Sequence, residues 1–296
     1  MGASDNRVSI VMITRDRRRE ADATLTTLEQ LPEHPPLIIV DNGSTDGTAG
    51  MVRADHPDAT LIEPGTNLAA AGRTLGVRAA TTPYVAFSDD DSWWEPNALR
   101  RAADVLDAHP TLALVAAHIL VGDEAHDDPV CAAMARSPLP DAPDIPGRTV
   151  LGFLAGMSVV RRDAYLSVGG FLPGVGVGGE EAWLAADLAA AGWHVAYVSQ
   201  VVARHRPSTQ RDRRGRARRD LRNALWFTWT RRPQRSALRR SLALARAAGP
   251  SVDTGAAVVQ AVGGVDWVRR HRRLLPPTVD ADLALLDRTG AEPPRG

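Results

Sequence analysis

Three consecutive aspartates, Asp89, Asp90 and Asp91, follow the apolar run of residues 84–87. Adjacent carboxylates repel each other, so they cost stability unless water, a cation or a binding partner offsets their charge. On an extended segment, residues two apart point the same way, so Asp89 and Asp91 can face one site. Mg²⁺ and Mn²⁺ prefer oxygen ligands and commonly combine one or two carboxylates with substrate phosphates. The run therefore indicates either a solvated loop or a divalent-metal site beside a phosphorylated ligand.

Asp41 stands in a similar position, at the end of the apolar run of residues 37–40 in "IIVDNGSTDGT". The residues after it are dense in turn formers. One interpretation is a tight strand-to-helix connection. The other places the Asp41 carboxylate in a ligand crevice, where it accepts a hydrogen bond from a ring N–H or a sugar hydroxyl.

The elements that must position these acids alternate between strand and helix patterns over the first 121 residues. Apolar strands are predicted at 8–14, 37–40, 60–63 and 84–88, with helical patterns between and after them. Such alternation favours parallel strands with both sheet faces covered. Ligands of such sheets bind beyond the carboxyl ends of the strands, where Asp41 and Asp89 fall.

The second half of the chain contains different patterns. Residues 122–147 are rich in Asp, Ala and Pro without periodicity, so they are predicted to form a long loop. A helix follows at 180–192, and strands at 193–198 and 201–205. From residue 206 the chain becomes rich in arginine, so we predict a domain of residues 1–205, with halves 1–121 and 148–205, and a mostly helical extension of residues 206–296.

Composition excludes several classes of protein. The formal net charge of the 296 residues is zero, so no nucleic-acid partner is expected. Cys131 is the only cysteine, which excludes an internal disulfide and fits a reducing cytosol. No secretory signal pattern and no apolar run of about 20 residues is present, so a cytoplasmic protein is expected.

Four motifs in order resemble those of the family 2 glycosyltransferases, which have the GT-A fold, an α/β nucleotide-diphospho-sugar-binding fold with a Rossmann-like mixed sheet flanked by helices. They are "VSIVMITRDR", "VDNGSTDGT", "NLAAAGRTLGVRAA" and "FSDDDSWWEP", the last similar to the family's DxD motif. Thr14 and Arg17 match the first motif, whereas Ile13, Arg15 and Asp16 depart from it. The resemblance extends over residues 8–205.

The resemblance implies roles for the donor and metal sites. Asp41 would contact the nucleotide base, Asp89 the ribose and Asp91 the metal, which would be Mn²⁺ or Mg²⁺. "VVARH" is similar to a family strand whose final His completes the metal site, so the expected metal ligands are Asp91, Asp89 and His205. The expected donor-binding residues are Thr14, Asp16, Asp41, Arg73, Asp89 and Asp90.

The segment "GGEEAWLAADL" is similar to a family helix whose second acid deprotonates the acceptor. Glu181 is therefore the expected base, with Glu180 as the alternative. A carboxylate at a helix N-terminus is also favoured by the backbone dipole, so one of the two acids has a structural interpretation. Two adjacent acids can split their pKa values, which leaves one a better base near neutral pH.

Acceptor contacts are expected from Trp93, Trp94, Trp183 and Gly156, with ordinary packing as the alternative for the tryptophans. "GVGVGG", residues 174–179, lacks the preceding strand and the later acid of a dinucleotide fingerprint. It is predicted to be a flexible loop beside the acceptor cleft.

The predicted function is that of an inverting, metal-dependent hexosyl- or deoxyhexosyltransferase. Its donor would be a nucleotide-diphosphate sugar, with UDP or dTDP favoured, and its acceptor a hydroxyl of a glycan, a lipid-linked carrier or a small metabolite. Aromatic residues between the arginines of 206–240 also indicate peripheral contact with the inner face of the membrane. The alternatives are a non-catalytic GT-A-like binding module that acts through its arginine-rich extension, or a nucleotidyltransferase.

Overall fold

Strands and helices alternate through the first 121 residues, as predicted. The computed structural model describes residues 6–207 and 215–289. The strands are β1 (Val8–Thr14), β2 (Leu37–Asp41), β3 (Thr60–Ile62), β4 (Tyr84–Asp89), β5 (Ser92–Trp94), β6 (Leu112–Val121), β7 (His126–Asp127), β8 (Arg148–Thr149), β9 (Ser158–Arg161) and β10 (His194–His205). The helices are α1 (Arg18–Glu29), α2 (Thr48–Asp55), α3 (Gly72–Ala79), α4 (Ala98–Ala108), α5 (Pro129–Ala135), α6 (Arg162–Ser167), α7 (Glu180–Ala190), α8 (Arg216–Arg231), α9 (Gln234–Ala248), α10 (Val252–Gly263), α11 (Val265–His271) and α12 (Pro277–Thr289).

The described strands form one 10-stranded sheet in the order β3-β2-β1-β4-β9-β6-β10-β5, with β7 paired to β6 and β8 to β10. β1 is parallel to β2 and β4, and its register places Thr14 beside Asp41 and Ile13 beside Asp89. β9 lies antiparallel between β4 and β6, which makes the sheet mixed. The carboxyl ends of β1, β2 and β4 therefore meet at one edge, as the sequence predicts.

Two predictions of local structure are wrong. The segment 122–147 is not one long loop, because it contains β7 and α5. The Asp128 side chain caps α5 by accepting the Val130 N–H at 2.9 Å, and Pro129 occupies a first-turn position that tolerates proline. The predicted strands at 193–198 and 201–205 are one strand, β10, whose register against β6 shifts between Val198 and Val202.

The C-terminal helices pack onto the sheet domain through two apolar clusters. Val279, Leu283 and Leu286 of α12 belong to the main core, which the sheet dominates. A second cluster joins Trp183 of α7 to residues of α8, α9, α10 and α11. Residues on both sides of position 206 thus share the same cores, and the domain boundary there stays a prediction. Within residues 6–207 and 215–289, no helix combines the length and apolar character that crossing a bilayer requires.

Candidate active site

A pocket of about 470 Å³ lies beyond the carboxyl ends of β1 and β4. This volume is in the range of small-molecule sites. Thr14 and the three aspartates line one side, and Gly156 and the N-terminus of α7 line another. Residues of α8 and α12 complete the lining. The pocket therefore gathers acids that are far apart in the sequence.

Asp90, the middle acid of the run, is turned toward the end of β1. Its Oδ2 accepts a hydrogen bond from Thr14 Oγ1 at 3.0 Å, and its Oδ1 lies 3.9 Å from Arg17 Nη1. Burial raises the pKa of Asp90 to about 7; Arg17 and Thr14 oppose this shift, and the two neighbouring aspartates reinforce it. Asp90 is thus fixed beside Thr14 and Arg17, whereas its two neighbours face other partners.

Asp89 binds Arg73, a buried cation from α3. Arg73 Nη2 donates to Asp89 Oδ1, and Arg73 Nη1 lies 3.9 Å from Glu180 Oε1. Burial alone would lower the pKa of Arg73, but Asp89, Glu180 and Glu181 together raise it above its ordinary value. A Cβ on Gly156 would lie 2.6 Å from the Asp89 carboxylate, so only glycine leaves room for this pair.

Asp91 and His205 face each other across the antiparallel pair of β5 and β10. Asp91 Oδ1 lies 3.5 Å from His205 Nε2, and both residues are buried. The structure does not bring Asp89 into this pair. In residues 6–207 and 215–289, no cluster of three or more His, Cys, Asp or Glu side chains is placed to hold a metal ion. One carboxylate and one imidazole fit a Mg²⁺ or Mn²⁺ site that ligand phosphates complete, because such sites rarely consist of protein ligands alone.

The two acids at the start of α7 have different surroundings. Glu180 is buried, and its Oε2 accepts the Gly178 N–H at 2.5 Å. Glu181 is partly exposed, and its Oε1 accepts the Ala155 N–H at 3.3 Å. Burial raises the pKa of Glu180 to about 8, with the neighbouring Glu181 adding to the shift, and burial also raises the pKa of Glu181. Both line the pocket, but only Glu181 keeps an exposed surface toward it.

Two of the expected donor-binding residues, Asp41 and Asp16, do not line the pocket. Asp41 is buried, and its Oδ1 accepts the Ser44 N–H at 2.8 Å. This hydrogen bond is the one expected if Asp41 forms a tight strand-to-helix turn. Asp16 Oδ1 accepts the Thr45 N–H at 2.7 Å and ties the loop after β1 to the loop after β2. Asn42, which the sequence interpretation passed over, lines the pocket instead.

The tryptophans expected to stack on an acceptor mostly serve packing. Trp94 and Trp183 are each only 1% exposed, so in this structure neither offers a ring face to a ligand. Trp183 Nε1 donates to Thr230 Oγ1 at 2.9 Å, which explains why this indole points toward α8. Trp93 is partly exposed, and its ring is covered by the guanidinium of Arg206 at 5.4 Å. Of the expected acceptor residues, Gly156 lines the pocket.

The aromatic residues of 206–240 pack between helices: Trp226 is buried, and Phe227 and Trp229 are partly exposed. Trp226 Nε1 donates to the Ala261 carbonyl at 3.0 Å, and Trp229 Nε1 donates to Ser241 Oγ at 2.9 Å. Phe227 packs edge-on against Trp183 at 5.4 Å between ring centroids. Residues 208–214 of the same segment lie outside the described residues. The aromatic pattern that suggested membrane contact is therefore explained by packing between α7, α8, α9 and α10.

α8 supplies site residues that the sequence interpretation missed. Asn223 is 1% exposed, and its Nδ2 donates to the Gly178 carbonyl at 2.6 Å, which holds the glycine loop before α7. Arg231 binds Asp187 of α7 through two hydrogen bonds of 2.7 and 2.8 Å. Positions 219, 220, 223 and 227 lie three, four, seven and eleven residues after position 216, a spacing that places them on one helix face. That spacing was the available signal, and only the fold shows that this face closes the pocket.

The fold defines the class of protein. The chain resembles the structure of the mannosyltransferase PcManGT from Pyrobaculum calidifontis in complex with GDP-Man and Mn²⁺, with a TM-score of 0.56, 18% identity and coverage of 98% of this chain and 89% of that one. It also resembles GalNAc-T7 with UDP, GalNAc and Mn²⁺, with a TM-score of 0.65, 12% identity and coverage of 99% and 59%. The chain has the GT-A glycosyltransferase fold, and the predicted fold class is confirmed.

The model of glycosyl transferase family 2 matches residues 9–169, more than half of the chain. The chain belongs to that family. The predicted enzyme class, a glycosyltransferase, is confirmed at this level.

Two relatives come from Mycobacterium tuberculosis. A pre-mycofactocin glycosyltransferase is 30% identical over an alignment of 184 positions, which covers 57% of this chain and 36% of that protein. The chain thus spans about a third of that relative's length. An N-acetylglucosaminyl-diphospho-decaprenol L-rhamnosyltransferase is 27% identical over an alignment of 281 positions, which covers 79% of this chain and 90% of that protein.

Proposed function

We propose that this protein is an inverting glycosyltransferase that moves a sugar from a nucleotide-diphosphate donor to an acceptor hydroxyl. The observation that carries the proposal is the convergence of the aspartate run, Arg73, His205 and Glu181 on one pocket. The family membership supports an enzyme over the binding module and the nucleotidyltransferase.

The donor occupies the side of the pocket formed by the ends of β1 and β4. Thr14 and Asn42 line this side together with the aspartate run, and the contact of Asp41 with the base stays a prediction. Asp91 and His205, 3.5 Å apart, would hold Mn²⁺ or Mg²⁺. A bound divalent cation neutralises the charge of the leaving diphosphate. The two structures solved with Mn²⁺ support this cofactor.

Glu181 is the general base. The residue is partly exposed and lines the pocket, and burial raises the pKa of its carboxyl above the ordinary value of 4.5, which makes the ionised carboxylate a stronger base. It takes the proton of the acceptor hydroxyl while that oxygen attacks the anomeric carbon from the face opposite the diphosphate, so the configuration inverts. Glu180 is buried against Gly178 and Arg73 and orders the start of α7.

The acceptor is a lipid-linked glycan precursor, and UDP or dTDP carries the donor sugar. Support for the acceptor comes from the relative that is named for a diphospho-decaprenol substrate and of which the aligned residues cover 90%. Peripheral contact with the membrane stays a prediction, because the aromatic residues of 206–240 that suggested it pack between helices.

The test measures release of nucleoside diphosphate from a panel of UDP-, dTDP- and GDP-sugars with Mn²⁺. We expect one donor to turn over, and we expect Glu181→Gln to lower kcat by roughly 10²–10⁴-fold with unchanged nucleotide affinity. Glu124→Gln, an exposed change outside the pocket, is the matched control. Equal turnover by wild type and Glu181→Gln would overturn the base assignment, and nucleotide binding without turnover of any donor would overturn the proposed activity.

A further inference from the structure

One face of α8 runs along the pocket. Its lining residues are Arg216, Arg219, Asp220, Asn223, Ala224 and Phe227. The 11 steps from the first to the last of these correspond to about 16 Å of helix. The face is therefore long enough to contact a ligand that extends well beyond one sugar ring.

The N-terminal end of this face is positively charged. Arg219 lines the pocket and forms no ion pair within the part of the chain that the structure describes. The nearby acid Asp220 pairs with a different cation, since its Oδ2 lies 4.0 Å from Arg216 Nε. Burial, together with the charge of Arg219, lowers the pKa of Arg222. An anionic group bound at Arg219 would relieve that repulsion.

The other end of the face is apolar. Ala224 and Phe227 form an apolar wall there with Leu283 and Leu286 of α12, and the polar residues that also line this end are Thr228, Arg232, Arg240 and Asp287. Sugar hydroxyls placed against such a wall would lose their hydrogen bonds to water, which is unfavourable.

The remaining polar groups near this wall already have partners. Arg232 Nε binds Asp280 Oδ1 at 2.8 Å, and Arg240 Nε lies 3.1 Å from Asp287 Oδ1. The Asn223 amide, midway along the face, is engaged by Gly178.

We propose that the α8 face is the acceptor subsite and that the acceptor is an amphiphile with a phosphate-bearing head. The phosphate lies at Arg219, and the apolar part lies along Phe227 and the α12 leucines. This proposal rests on the proposed function, because a hydroxyl of the same molecule must reach Glu181. The proposal adds that Arg219, Phe227 and the α12 leucines select the acceptor.

The test is calorimetric binding of farnesyl diphosphate, farnesol and pyrophosphate to the full chain, with and without saturating UDP and Mn²⁺. We expect farnesyl diphosphate to bind with UDP present and to bind at least tenfold more tightly than either fragment. Arg219→Gln should weaken it roughly tenfold, the effect of one charge-assisted contact, and Arg219→Lys should restore part of the affinity. Ala224→Trp, which fills the apolar end, should abolish binding.

Matched controls separate the possible failures. Arg239→Gln, on the exposed face of α9, should change nothing, and UDP binding by the Ala224→Trp variant checks that it is folded. Displacement of farnesyl diphosphate by UDP would place the diphosphate in the donor site and overturn the proposal, as would equal binding by Arg219→Gln. If none of UDP, dTDP and GDP binds the wild type, the proposed function fails, while the farnesyl diphosphate titrations without nucleotide still decide the subsite.

Discussion

Arg73 lies between Asp89 and Glu180, the first acid of the aspartate run and the first acid of α7. One end of its guanidinium donates to Asp89 Oδ1, and the other lies 3.9 Å from Glu180 Oε1. This buried cation joins the proposed donor side of the pocket to the proposed base helix. The negative charges of Asp89 and Glu180 are therefore both offset by Arg73.

Removal of Arg73 should destabilise the fold. Arg73→Met leaves the buried Glu180 and the partly exposed Asp89 without their cation. Breaking a fully buried pair costs about 3–5 kcal/mol, and solvent screening at Asp89 reduces this, so we expect a loss of about 2–3 kcal/mol. The free energy of unfolding from urea titration measures the loss. Arg78→Met, on the exposed face of the same helix, is the control. Adding Glu180→Gln to Arg73→Met should recover part of the loss, and an Arg73→Met variant as stable as wild type would contradict this relationship.

Glu180 should make stability fall as pH rises. Its folded pKa of about 8 exceeds the ordinary value of 4.5, so the folded protein holds a proton that the unfolded chain releases within that window. Stability is therefore highest below pH 4.5 with respect to this group and decreases up to about pH 8. Glu180→Gln, which keeps an acceptor for Gly178, should flatten the dependence. Guanidinium unfolding at a series of pH values checks this, with Glu124→Gln as control; parallel curves for Glu180→Gln and wild type would refute it.

The ion pair of Asp187 with Arg231 should couple the base helix to the extension. Asp187→Leu or Arg231→Met alone should cost about 3–5 kcal/mol, and the double variant less than the sum, since no buried charge is left alone. Chemical unfolding of the three variants gives the coupling energy. Additive losses would show that the pair does not act as a unit.

Trp183 should matter for stability and not for the acceptor. Trp183→Phe removes the hydrogen bond to Thr230, worth about 1 kcal/mol, and keeps an aromatic ring in the cluster with Phe227. We expect a lowered midpoint of thermal unfolding and an unchanged KM for the acceptor. A raised KM with unchanged stability would instead support stacking on the acceptor.

The positions of Asp41 and Asp89 were predictable because strand periodicity fixes where a parallel strand ends. β1, β2 and β4 have those bounds within a residue, and their parallel register then puts both acids at one edge. What a side chain does there is decided by partners that periodicity does not show. Asp41 caps its own turn through Ser44, and Asp89 binds a guanidinium.

The tryptophans and the extension were harder to predict for the same reason. An indole near a predicted site looks identical in sequence whether it faces a ligand or another helix, and Trp183 faces Thr230 of α8. α5 was missed because the Asp, Ala and Pro content of residues 122–147 favoured a loop. The local signal for a helix was Asp128 followed by Pro129, which is typical of a capped helix start. Glu180 and Glu181 were recognisable in the sequence as a pair of acids. Their different burial depends on the glycine loop before α7, which Asn223 of α8 holds at Gly178.

Calorimetric titration with UDP, dTDP and GDP, each with and without Mn²⁺, tests the central claim most directly. We expect one nucleotide to bind only with the metal, and we expect Asp91→Asn to abolish that binding, while Asp58→Asn, an exposed change outside the pocket, leaves it intact. Metal-independent binding that Asp91→Asn does not alter would contradict the metal site at Asp91 and His205. Failure of all three nucleotides to bind the wild type would contradict the assignment of the pocket as a nucleotide-sugar site.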